Sequence, residues 1–261
     1  MKYSESLMKI LAIGWNGFSE ARRNRVMIVL VAFAVVLLFS TSLVMRVTVF
    51  TLDRVLVDVA IAAMSFVLIL MSIYLSAGSF SRELRERSAC LVLSAPISRA
   101  NFLVGRYLGN ILTLFILQFF MICVFFFQMK LLKVDLTQAQ IAALIGIASQ
   151  LLLFSSIGIF VSCLCSQVIA GTLLILVYIV GNQTDELFFM AERASGGVTY
   201  FLGKGLYYFL PNLHRSDFKL QASHGVDVPW AEVFSSVGYS VVYAVFALLA
   251  ACLIFQKRDF H

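Results

Sequence analysis

Arg82, Glu83, Arg85, Glu86 and Arg87 crowd into six consecutive residues of a chain that is otherwise strongly apolar. Arg82/Glu86 and Glu83/Arg87 are opposite charges four apart. On an exposed helix each such pair stabilises by about 0.2–0.5 kcal/mol. Groups of this kind present a surface; they do not cleave bonds. Pro96, Ser98 and Arg99 follow, with Pro96 breaking the helix, and Gly105-x-x-x-Gly109 lets the next helix start close to a neighbour. The chemistry of 80–109 is therefore that of a handle for a soluble partner, or of a solvated basic loop that sets topology.

Other residues that carry chemistry are sparse. A phosphate-cradling loop needs Gly-x-x-x-x-Gly-Lys-Ser/Thr, and Gly203-Lys204-Gly205 fails that spacing, so no nucleotide hydrolysis is expected here and the chain is not read as an enzyme. Ionisable groups inside membrane spans mark proton or ion pathways. The apolar runs hold none in their interiors apart from Asp58, Asp185 and Glu186 near their ends. Gln118, Gln150, Ser155 and Asn182 are uncharged and either bond between helices or line a pathway. His214 and His224 lack cysteine partners and a third histidine, and Cys163-Leu-Cys165 suits packing better than metal binding, so no metal site is expected. The five cysteines sit in apolar runs or on the basic side, which does not indicate a disulfide framework.

The elements that position these residues follow from composition. The chain has 261 residues, 61% hydrophobic and 13% charged, with a mean hydropathy of +0.94. Soluble domains average about 25% charged, so an all-α integral membrane protein is expected. A hydrocarbon core about 30 Å thick needs roughly 20 apolar residues in a helix, and lipid forces each span to be helical. Spans are read at 26–45, 57–77, 108–129, 142–165, 168–188 and 234–255. The fifth is the weakest because Asn182, Gln183, Asp185 and Glu186 make its end polar.

Lys and Arg concentrate at 2–25, 82–106 and 257–258, and the positive-inside bias puts both termini and the 78–107 segment in the cytoplasm. The formal charge of +6 follows from this topology and calls for no nucleic acid. Residues 1–25 show an amphipathic period, with Tyr3, Leu7, Ile10, Leu11, Gly14 and Phe18 on one side, as in a helix lying in the inner membrane surface. The 189–233 stretch is the one sizeable outer region, with short helices at the interface. One transmembrane domain covers 1–261.

Phe80-x-Arg82-Glu83, Leu91-x-Leu93-x-x-Pro96-x-Ser98-Arg99 and Gly105-Arg106-x-x-Gly109 together resemble the intracellular segment of ABC-2 type transporter permeases. The closing Phe255-Gln256-Lys257-Arg258-Asp259-Phe260 is similar to their usual end. Among these permeases the chain most resembles those found with nitrous-oxide-reductase maturation and gliding systems. The resemblance implies a multi-pass permease of the bacterial inner membrane that pairs with a second copy or a paralogue. Two separate ATPase subunits would hold the ATP and magnesium, and this chain would bind no cofactor. Arg82, Glu83, Arg85, Glu86, Arg87, Pro96, Ser98 and Arg99 would lie on or beside the coupling helix that seats in the ATPase, with Gly105 and Gly109 packing the next span. The expected activity is ATP-coupled export. The alternatives are ATP-driven mechanical work on a periplasmic partner, and a carrier or channel that needs no ATPase.

Overall fold

The computed structural model describes residues 8, 10, 12–19, 28, 31–32, 35–36, 52–80, 99–193, 200, 205 and 210–257. Among them there is no strand. The helices are α1 (Leu52–Ile73), continued by a π-helical segment (Tyr74–Phe80), then α2 (Arg99–Leu132), α3 (Gln138–Leu164) and α4 (Gln167–Asn182). After these come α5 (Thr184–Arg193), a 3-10 turn (His214–Ser216), α6 (Lys219–His224) and α7 (Trp230–Lys257). Residues 12–19 are also helical.

Four stretches are long and apolar enough to cross a membrane: Leu56–Gly78, Ala100–Leu131, Gln138–Leu164 and Trp230–Gln256. A fifth is counted if α4 and α5, bent by 60° at Asn182–Thr184, form one broken span. These correspond to the stretches read at 57–77, 108–129, 142–165, 234–255 and 168–188. The first expected span is described only at residues 28, 31–32 and 35–36, which are helical. The third starts earlier than its hydropathy suggests, because Arg99 to Tyr107 already belong to α2.

α3 is the centre of the bundle. Of its span, 72% is buried, against 22% for α7, which packs along α3 and turns its other side outward. The sequence of α3 explains this. Ala142, Ala143, Gly146, Ser149, Ser155, Ser156, Gly158 and Ser162 are small and spread around the helix, so neighbours approach from every side. Larger residues from α1, including Leu56, Ile61, Met64, Leu68 and Met71, are fully buried in the same core. A second cluster gathers at one end, with Phe102, Leu103 and Tyr107 of α2, Ile159 and Cys163 of α3, and Ala251 and Phe255 of α7.

The outer faces carry what lipid tolerates. Phe119, Phe120 and Phe127 of α2, Ile175 and Ile179 of α4, and Phe234, Val242 and Phe246 of α7 are exposed. Apolar side chains scattered this way gain nothing from protein contacts when the solvent itself is hydrocarbon.

Candidate functional site

The two ends of the bundle differ in character. At one end α1 runs into the π-helical segment, α3 turns into α4 through Cys165 and Ser166, and α7 ends; the 81–98 segment must connect here. Arg82, Glu83, Arg85, Glu86, Arg87, Pro96 and Ser98 lie outside the described residues, so the handle itself is not placed. Arg99 is the first residue of α2.

What leads into and out of the handle is described. The π-helical turn holds Ser76 and Gly78 against α3 and α4. Ser76 Oγ donates to Ser72 O at 2.6 Å, and the Ser76 carbonyl lies 3.0 Å from Ser162 Oγ, which is also 2.7 Å from Gly158 O. A π turn shifts the backbone register by one residue, and its carbonyls look for donors outside the helix; Ser162 is placed to be one. On the return side, Phe102 stacks on Phe255 with ring centroids 6.3 Å apart. The start of α2, between the Arg99 and Gly105 motifs, and the closing segment of the chain thus meet in one apolar cluster.

Gly105 and Gly109 face the helix of residues 12–19. A Cβ on Gly109 would lie 2.7 Å from the Gly14 carbonyl oxygen, and one on Gly105 would lie 2.9 Å from Ile13 Cβ. Gly14 returns the contact on Gly105 O at 3.2 Å, so two backbones cross with no side chain between them. Arg106 is buried beside this crossing, with a guanidinium nitrogen close to Gly17. Its burial was not legible in the sequence, where an arginine near a helix start reads as a solvated flank.

The uncharged polar residues divide. Gln118 Nε2 donates to Leu144 O at 2.8 Å and ties α2 to α3. Ser155 is fully buried, and its hydroxyl has no partner among the described residues. Gln150 and Asn182 converge on the break between α4 and α5. Counted from the Cys165–Ser166 turn, Gln150 and Gly181 each lie 14 residues up their helices, a height of about 21 Å at 1.5 Å per residue. α4 therefore stops near mid-bundle.

The chain at 210–229 fills the space above it. Leu213, Phe218, Ala222 and Val228 belong to the main core. Leu213 N–H donates to Gly181 O at 3.0 Å, and Gln150 Nε2 donates to Leu213 O at 3.0 Å. Thr184 Oγ1 also bonds Gly181 O, and Asn182 Nδ2 bonds Tyr178 O. The last carbonyls of a helix have no intrahelical donors, and in hydrocarbon they must be satisfied by protein. Here a peptide from a distant segment and two side chains, Thr184 and Asn182, do it, and Gln150 in turn satisfies the carbonyl of that peptide. Gly146 of α3 permits the insertion, because a Cβ there would collide with Ser216 O and Phe218.

At the rim of the break, Asn212 Nδ2 donates to Asp185 Oδ1 at 2.9 Å, His214 Nε2 lies 3.8 Å from Asp185 Oδ2, and the Tyr239 hydroxyl accepts from Asn212 N–H at 3.0 Å. Below it, Ile157, Phe160, Val177, Tyr243 and Phe246 line an apolar cleft of about 480 Å³ between α3, α4 and α7. Gln150 Oε1 and Asn182 Oδ1 are buried and have no donor among the described residues. The cleft can admit an apolar chain. Among the described residues no three His, Cys, Asp or Glu cluster to hold a metal. No family model matches the chain, and a search of curated proteins finds no similar sequence.

Proposed function

We propose that the chain is the membrane-embedded permease subunit of an ATP-binding-cassette complex, working as an exporter with ATPase subunits contributed by other polypeptides. On this reading it has six spans, with both termini and the 81–98 handle in the cytoplasm. It pairs with a second permease chain, and ATP-driven movement of the handle re-tilts the helices around the broken α4.

The observation that carries the reading is the convergence at the handle end. Phe102, at the start of α2, and Phe255, in the closing segment, share a stack, and Gly105 and Gly109 lock the N-terminal helix onto the start of α2. A push on 81–98 would act on the start of α2 and, through the Phe102–Phe255 stack, on the end of α7. Glu83→Arg and Glu86→Arg are each expected to lower recovery of a co-expressed cognate ATPase about tenfold, the equivalent of one charged hydrogen bond. Membrane insertion of this chain should not change. ATPase recovery at wild-type levels with both variants would end the reading.

A further inference from the structure

At the end of the bundle opposite the handle, four elements border an open polar cavity of about 250 Å³. Arg54 of α1, Lys133 at the end of α2, Asp135, Thr137 and Gln140 at the start of α3, and His224 at the end of α6 line it. Two fixed cations therefore face one carboxylate. Among the described residues neither Arg54 nor Lys133 has an ion-pair partner.

Both cations stand where local physics disfavours them. Arg54 lies in the first turn of α1, where the helix dipole repels positive charge. Lys133 adopts φ 56°, the left-handed conformation that suits glycine. The bond from Val134 N–H to Met129 O makes Lys133 the residue that closes a Schellman cap. Across the cavity the same cap closes α6, with Val226 N–H on Gln221 O, and there the left-handed position holds Gly225 at φ 65°. One chain thus uses the favoured glycine in one cap and a lysine in the other, and both caps line the same cavity.

The N-terminus of α3 adds to the field. Thr137 and Gln140 form the capping box of α3, with Gln140 Oε1 accepting the Thr137 N–H at 3.2 Å and the Thr137 hydroxyl turned to the backbone of Gln140. His224 Nδ1 lies 2.9 Å from Leu220 O, which leaves Nε2 as its other polar atom. Leu131, Leu136 and Val226 are exposed beside the polar lining.

We infer that this cavity binds a phosphate-type anion through Arg54 and Lys133. The cavity is smaller than the roughly 300–1,000 Å³ of sites for drug-sized ligands, so it fits a headgroup or a free anion rather than a whole substrate. An anion relieves both misplacements at once. It pairs with the Arg54 guanidinium, and it gives the strained lysine an interaction that glycine cannot make.

Two probes separate the sources of the phosphate. Native mass spectrometry counts phosphatidylglycerol retained by protein from mixed phosphatidylglycerol–phosphatidylcholine nanodiscs, and thermal melting in a neutral detergent reads inorganic phosphate. Retention of phosphatidylglycerol without a melting shift from phosphate assigns the site to a lipid headgroup. A shift from phosphate alone assigns it to a free anion. Arg54→Gln and Lys133→Gly should each weaken binding of the active probe about tenfold, while Lys219→Gln, outside the cavity, should not. Lys133→Gly should also melt higher than wild type without anion, since it relaxes the cap, so its loss of binding cannot be blamed on misfolding. The inference is overturned if wild type favours neither probe over phosphatidylcholine, or if both cavity variants bind like wild type.

Discussion

Gly146 shows how much can rest on one missing side chain. It sits on the central helix where the carbonyl of Ser216 and the ring of Phe218 press closest. The obstacle there is backbone, which cannot rotate away as a flexible side chain would. Gly146→Val is therefore expected to destabilise by about 1–3 kcal/mol, the usual range for overpacking a filled interior. Gly171→Val is the control, because nothing lies within 4 Å of a Cβ at that position. Melting of the two variants side by side checks the assignment, and equal melting temperatures would contradict it. The local sequence Leu144-Ile145-Gly146-Ile147 gives no hint of this. A glycine in an apolar run shows only that something can come close, not what does.

At the level of elements, the long helices were legible and their interruptions were not. Hydropathy alone marks 57–77, 142–165 and 234–255, because lipid imposes both length and apolarity on a span. The polar cluster at Asn182, Gln183, Asp185 and Glu186 also flags the end of the fifth, and the chain does break there. The 189–233 stretch was read as an outer region with short helices. Its described part does hold short helices, at His214–Ser216 and Lys219–His224; that Leu213, Phe218, Ala222 and Val228 pack into the core was not legible, because segments this short carry too few residues for a period to reveal a buried face. The π-helical turn leaves no mark in the sequence either, since Tyr74-Leu75-Ser76-Ala77-Gly78 is compatible with either winding. Its effect is testable. Deleting Ser79 removes the extra residue and turns the following chain by about 100° relative to α1. Expression and insertion should survive, whereas ATPase activity stimulated by the complex should fall to the level of the ATPase alone. Unchanged stimulation would show that the register of this turn is idle.

For the whole molecule, the proposed function predicts which ends face which compartment. The handle at 81–98 and the rim at 210–229 must lie on opposite sides of the bilayer if Leu56–Gly78 crosses it once. Ser88→Cys, in a background cleared of native cysteines, should resist an impermeant thiol reagent in intact cells and react once the membrane is opened. Asp227→Cys, at an exposed position on the rim, should react in both. The reverse pattern would invert the orientation and remove the handle from any cytoplasmic ATPase.

The half-length α4 has a consequence for biosynthesis. Its terminal carbonyl at Gly181 is matched by the amide of Leu213, which is made 32 residues later. A ribosome that has just released α4 into the bilayer leaves that carbonyl short of its distant donor until 210–213 emerges and threads back between helices already inserted. The middle of this protein is thus completed by a late arrival, and a nascent chain stopped before residue 213 would leave the Gly181 carbonyl with the Thr184 hydroxyl as its side-chain donor and without the peptide that covers it.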